Sequence, residues 1–103
     1  MSQLLHLVNK SPTDRYAFET CFRMAKSGDA ILLIEDGVYA AMANSDFASN
    51  VTARLGDFSF YVLGPDVNAR GLGDIPLIED IKVVDYEGFV DLVAETKATQ
   101  SWL

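Results

Sequence analysis

The sequence predicts a small three-layer α/β domain on a mainly parallel sheet of about four to five strands, and three observations carry that prediction. Four short apolar runs, Leu4 to Val8, Ala30 to Ile34, Phe58 to Leu63 and Ile81 to Val84, are each too short for a helix and are bounded by turn residues. Apart from His6 and Ser59 they are nearly continuous in hydrophobicity, as strands covered on both faces of a parallel sheet are. Helical patterns separate them, so strand and helix alternate along the chain. With 103 residues, half of them hydrophobic, the chain is expected to form a single domain, 1–103, around one core.

Each element has its own signature. After the first run, Ser11-Pro12-Thr13-Asp14 reads as a helix start, with Ser11 at the N-cap, Pro12 at the first helical position and an acid three residues after the cap. On a helical wheel Met24, Ala17, Cys21, Ala25, Phe18 and Phe22 share one arc, opposite Glu19, Arg23 and Lys26, and the helix stops at Lys26-Ser27-Gly28. Val38 to Ala43 is a small-residue helical turn. Phe47, Val51 and Leu55 then recur every four residues behind a Ser45 cap and before Gly56. Between the third and fourth runs, Gly64-Pro65-Asp66 and Arg70-Gly71-Leu72-Gly73-Asp74 leave room for one short helix around Val67 to Arg70. Phe89, Val90, Leu92 and Val93 mark a last amphipathic helix, in which Gly88 is a tolerated blemish, and a polar tail ends Gln100-Ser101-Trp102-Leu103. Right-handed crossovers between parallel strands make this a flavodoxin-like arrangement. Ligands bind such sheets at the carboxyl ends of strands, which here carry Asn9-Lys10-Ser11, Glu35-Asp36-Gly37, Gly64-Pro65-Asp66 and Asp85-Tyr86.

Composition removes several functions. A net charge of −7 argues against direct nucleic-acid or anionic-membrane binding and for a basic partner. No apolar run approaches the roughly 18 residues of a membrane-spanning helix. The lone cysteine, Cys21, excludes an internal disulfide and a cysteine-only zinc cage, and the expected compartment is the reducing cytoplasm. The loop after the first strand has no glycine, so it carries neither of the two glycine-rich phosphate fingerprints, and no cofactor is expected.

The remaining candidates are few. Glu35 and Asp36 are adjacent at a strand end and project to opposite faces, which suits an acidic rim better than an acid/base pair. His6, the only histidine, reads as a hydrogen-bonded core or interface residue rather than a metal ligand. Lys10 and Arg70 could face the same rim and attract an anion. Cys21 falls near the middle of the apolar arc, about three turns into its helix and away from the dipole end that would acidify a thiol. It is either a small buried hydrophobe or, helped by another chain or by Lys10, a reactive thiol. Trp102 and Leu103, an apolar pair in a polar tail, are either pinned on their own domain or pressed into a partner, which favours an obligate assembly.

Leu5-His6-Leu7-Val8-Asn9-Lys10-Ser11-Pro12 and the stretch Gly28-Asp29 through Glu35-Asp36-Gly37-Val38-Tyr39-Ala40-Ala41 resemble the DsrH/TusB family of sulfur-relay subunits. So do Tyr61-Val62-Leu63-Gly64-Pro65-Asp66, Ala69-Arg70-Gly71-Leu72, Val84-Asp85-Tyr86, Gly88-Phe89-Val90-Asp91-Leu92 and Gln100-Ser101-Trp102-Leu103, in order and over nearly the whole chain. The resemblance implies a cytoplasmic heterohexamer, two copies each of three related subunits. Its partners would be DsrE/TusD-like and DsrF/TusC-like chains and a small DsrC/TusE-like sulfur carrier. Such assemblies pass persulfide sulfur, ending in tRNA 2-thiouridine in the Tus branch and serving sulfur oxidation in the Dsr branch, without metal or flavin. The main catalytic cysteine belongs to the DsrE/TusD-like partner. A cysteine in the first helix, where Cys21 falls, is a DsrH-type feature, and it makes Cys21 the candidate catalytic residue here, as an auxiliary persulfide carrier. The competing expectation is a structural and docking subunit with Cys21 buried; a third is a free-standing small-ligand-binding domain.

Overall fold

The structure, a computed structural model, describes residues 4–13 and 15–102. Five strands, all parallel, form one sheet in the order β4-β3-β2-β1-β5: β1 (Leu4–Val8), β2 (Ala30–Leu33), β3 (Ser59–Leu63), β4 (Lys82–Val84) and β5 (Ala98–Trp102). Four α-helices connect them: α1 (Arg15–Met24), α2 (Ala48–Thr52), α3 (Gly64–Ala69) and α4 (Tyr86–Glu95). A 3-10 segment, Glu35–Ala41, lies between β2 and α2. The four apolar runs are therefore the first four strands.

Alternation along the strands sends their side chains into two cores. Val8, Ile31, Leu33, Phe60 and Val62 face one side, where Phe18 and Phe22 of α1, Val38 of the 3-10 segment, Val51 of α2 and Val67 of α3 cover them. Phe22 lies between Phe47, stacked at 5.8 Å between ring centroids, and Phe60, met edge-on at 6.0 Å. On the opposite side Leu5, Ala30 and Leu32 pack under Leu92, with Phe89 beside it, so α4 covers that face. The three layers follow from this division.

Several element boundaries differ from the sequence reading, each for a local reason. Pro12 and Thr13 lie in a turn rather than in α1, and Ser11 caps that turn: its Oγ accepts from the N–H and the hydroxyl of Thr13, at 3.3 and 3.0 Å. Asp14, third residue of the expected capping box, lies outside the described residues. Met24 sits at the edge of the apolar arc and is 59% exposed, since the helix turns Phe18, Cys21 and Phe22 most squarely to the sheet. Ser45 Oγ accepts from Phe47 N–H at 3.0 Å, a turn ahead of α2, and Leu55 packs beyond the helix end. The short third helix begins at Gly64, directly on leaving β3. Gly88 is no blemish: a Cβ there would stand 2.9 Å from Val84 Cβ, so the glycine lets the first turn of α4 close over β4. Asp85 caps that turn by accepting from Gly88 N–H at 2.8 Å.

The strand absent from the apolar pattern is β5. Ala98 to Ser101 are exposed, and only Trp102 reaches the core, yet the segment pairs in register with all of β1, from Leu4↔Ala98 to Val8↔Trp102.

Candidate functional site

The strand order places a crevice where the connections after β3 and β4 leave toward opposite faces, the point at which open parallel sheets bind ligands. It has a volume of about 630 Å3, and Gly64, Asn68, Val83, Asp85 and Gly88 are among its lining residues. The only charged side chain on this lining, Asp85, is already engaged in capping α4.

Beside the crevice, the other strand ends form a connected polar rim. Asn9 Nδ2 donates to Glu35 Oε2 at 3.3 Å, and Glu35 N–H donates to Asp66 Oδ2 at 2.6 Å. Arg70 Nε donates to Asp36 Oδ1 at 3.0 Å, and its Nη1 reaches the Asp66 carbonyl at 3.4 Å. Glu35 and Asp36 thus diverge, one held by β1's exit and the other by α3's end, and do not form an acid/base pair. Glu35 adopts a φ of 50°, which aims its N–H at Asp66. Arg70 joins the rim through Asp36, while Lys10 is exposed. Solvent-exposed pairs of this kind contribute about 0–1 kcal/mol each, so the network shapes the rim more than it stabilises the fold.

Cys21 is fully buried in the larger core, on the sheet-facing side of α1. Burial, and secondarily the nearby charge of Asp29, push its thiol from an ordinary 9.0 up to about 12. Raised in this way, the thiol stays protonated at neutral pH and is withheld from the thiolate form that attacks disulfides or persulfides. Lys10 is exposed at the rim and Arg23 is exposed on α1. Native chain is therefore expected to react with Ellman's reagent only as fast as it unfolds, with full reactivity in strong urea; rapid stoichiometric reaction of the folded chain would contradict this burial. Because the folded thiol titrates higher than the unfolded one, Cys21 also contributes stability that is present below pH 9 and declines as pH rises above it.

The most highly connected polar cluster in the interior involves a residue the sequence reading passed over. Asp29, fully buried ahead of β2, has Oδ2 at 2.9 Å from His6 Nε2 and accepts from Lys26 N–H at 2.9 Å and Leu4 N–H at 3.1 Å. Burial acts to raise its pKa, but the hydrogen bonds from Lys26, His6 and Leu4 outweigh it and hold the carboxyl below its ordinary 3.8. On the other side of the imidazole, Trp102 Nε1–H donates to His6 Nδ1 at 3.0 Å. Asp29 had one local signal, an acid immediately before a continuous apolar strand; His6 was legible as a hydrogen-bonded core residue, but nothing local paired the two. Among the described residues no three His, Cys, Asp or Glu side chains gather as a metal site would require, and no helix is long and apolar enough to cross a membrane.

Fold and site together define a small, all-parallel α/β domain of the flavodoxin-like class, with a polar strand-end rim and its one thiol enclosed in the core. Residues 10–99 match the family described as DsrH like protein, and the chain belongs to that family, whose members are subunits of sulfur-relay complexes. It is similar to protein TusB of Pectobacterium parmentieri, at 33% identity over 96% of this chain and all of that one. Protein TusB of Escherichia coli K12 is 34% identical over the same shares. Among solved structures, the ychN protein from E. coli superposes with a TM-score of 0.72 over 98% of this chain and 99% of that one, at 14% identity. MTH1491 of Methanobacterium thermoautotrophicum, a protein of unknown function, gives 0.69 over 94% and 97%, at 16% identity. These two structures support the fold alone.

Proposed function

We propose that this chain is the structural and docking subunit of a cytoplasmic heterohexameric sulfurtransferase, a single domain that organises DsrE/TusD-like and DsrF/TusC-like partners around a small DsrC/TusE-like carrier. In the reaction, a thiolate attacks the outer sulfur of a cysteine persulfide; the new persulfide forms on the attacker and the donor cysteine leaves as its thiolate. The observation that carries the proposal is the complete burial of Cys21, the chain's only thiol, in a setting that keeps it protonated. Catalytic sulfur then rides on a partner. The curated relatives' name, TusB, favours tRNA wobble-uridine 2-thiolation as the destination, whereas a cysteine in the first helix resembles the DsrH type and sulfur oxidation.

The other role for Cys21, auxiliary persulfide carrier, requires α1 to turn its sheet-facing side outward within the complex. Intact mass of each chain in the co-expressed complex, before and after a sulfane donor, separates the two. The expected result is one added, reducible sulfur on a partner chain and none on this one, unchanged by Cys21→Ser. A sulfur on the wild-type chain that Cys21→Ser abolishes would assign the carrier role, and failure of the wild-type chain to co-purify would remove the complex altogether.

A further inference from the structure

The His6 ring is hydrogen-bonded on both sides, and the direction of one bond fixes the other. Trp102 Nε1 bears a hydrogen and accepts nothing, so Nδ1 of His6, 3.0 Å away, must be bare. The ring proton then sits on Nε2 and is donated to Asp29 Oδ2. Hydrogen bonds thus run in one direction, from indole to imidazole to carboxylate, across β5, β1 and the entry to β2. Trp102 is the one β5 side chain packed against the core, while Ala98 to Ser101 are exposed. Beyond its backbone ladder with β1, the strand is anchored by this indole.

We propose that Trp102, His6 and Asp29 form a proton-sensitive latch, which holds the indole at the end of β5 against the core while Nδ1 is bare and frees it when Nδ1 takes a proton. A second ring proton would point an N–H at the indole N–H, donor against donor, and end the bond that holds Trp102. The same proton strengthens the inner half of the chain, because imidazolium and the Asp29 carboxylate form an ion pair. The groups facing the ring decide the sign of this response. From the β2 side it meets Asp29, held as carboxylate by three donors, with the uncharged Ile31 as its register neighbour. From α1, the Cys21 thiol is close enough to feel the Asp29 charge and stays protonated. From β5 come Trp102 and, in register with His6, the uncharged Gln100. A second ring proton therefore keeps the bond to Asp29 and loses the one from Trp102. Release frees the indole, while the backbone ladder from Leu4↔Ala98 to Val8↔Trp102 keeps β5 beside β1.

The chain has one tryptophan and one histidine, so each half of the latch reports without labels. Lowering the pH of the full chain from 8 to 5 is expected to move Trp102 emission to longer wavelength and to increase acrylamide quenching, with far-UV dichroism retained. His6→Gln, whose side chain can accept from the indole and donate to Asp29 without titrating, is expected to abolish that response. Should His6→Gln not fold, Trp102→Phe serves instead: its melting temperature should fall short of wild type at pH 8, and the deficit should shrink at pH 5. Nitrogen NMR of the ring at pH 8 should show the Nε2-protonated tautomer. An Nδ1-protonated ring, an emission maximum that stays fixed between pH 8 and 5, loss of far-UV dichroism in step with the emission change, or a Trp102→Phe deficit equal at both pH values would each overturn the latch.

Discussion

Asp29→Ala is expected to destabilise the chain by about 3–5 kcal/mol, a large share of the roughly 5–15 kcal/mol available to a domain of this size. The loss goes beyond one ion pair. Removing the carboxylate leaves three buried or half-buried donors without acceptors, His6 Nε2–H and the N–H groups of Leu4 and Lys26, with only a small cavity for water. Asp29→Asn should recover part of the loss, since one oxygen remains, yet its NH2 would confront a donor at the position Oδ2 now holds. Urea unfolding at pH 7 measures both, and an Asp29→Ala loss below about 1 kcal/mol would mean that water replaces the carboxylate cheaply. The pH dependence has a definite sign. The folded carboxyl titrates below its ordinary 3.8, so its contribution is complete above that value and disappears as pH falls through the lower folded one. Asp29→Ala should therefore flatten the acid limb of the wild-type stability curve.

Gly37→Ala is expected to be of similar severity, about 3 kcal/mol or more, for a steric reason. A Cβ at Gly37 would overlap the carbonyl oxygen of Val8, a backbone atom that no rotamer change can move. That carbonyl already accepts from Ile34 N–H at 3.0 Å, and Gly37 N–H donates to Ile34 O at 2.8 Å, so the 3-10 segment is tied down on the end of β1. Moving it aside would also disturb the Asn9–Glu35–Asp66 contacts of the rim. Gly28→Ala provides the contrast. Gly28 has a φ of +94° and open space around its missing side chain, so only backbone strain of about 1–2 kcal/mol is expected there. Thermal melts of the two variants should rank Gly37→Ala well below Gly28→Ala, and the reverse order would locate the constraint in the backbone angle rather than the clash.

The sequence disclosed what is periodic and local. Four strands announced themselves through apolar runs because their side chains enter one core or the other. Cys21 was placed on the apolar arc of α1, and the rim was located at the strand ends, including Arg70. What stayed hidden depends on contacts between distant residues. β5 is polar along most of its length and exists because β1 offers it a backbone ladder, a partnership without local trace. Asp29 has no role in the sequence patterns, whereas His6, 23 residues away, makes it a hub. Gly88 looked like a defect on a propensity scale, because propensity does not register Val84 beneath it.

The neighbouring positions of β1 and β5 also set the order in which the chain can acquire its structure. β1 to β4 are laid down side by side in the order of synthesis, each pairing with the strand just made, and these contacts close short loops. β5 must instead return across the finished sheet to β1, joining residues 96 positions apart, so its pairing waits for the other strands. During translation β1 therefore stands as an open edge until the last strand emerges. A nascent chain of this kind spends its growth with one bare flank, and refolding kinetics should show the Trp102 signal maturing after the dichroism of the remaining sheet.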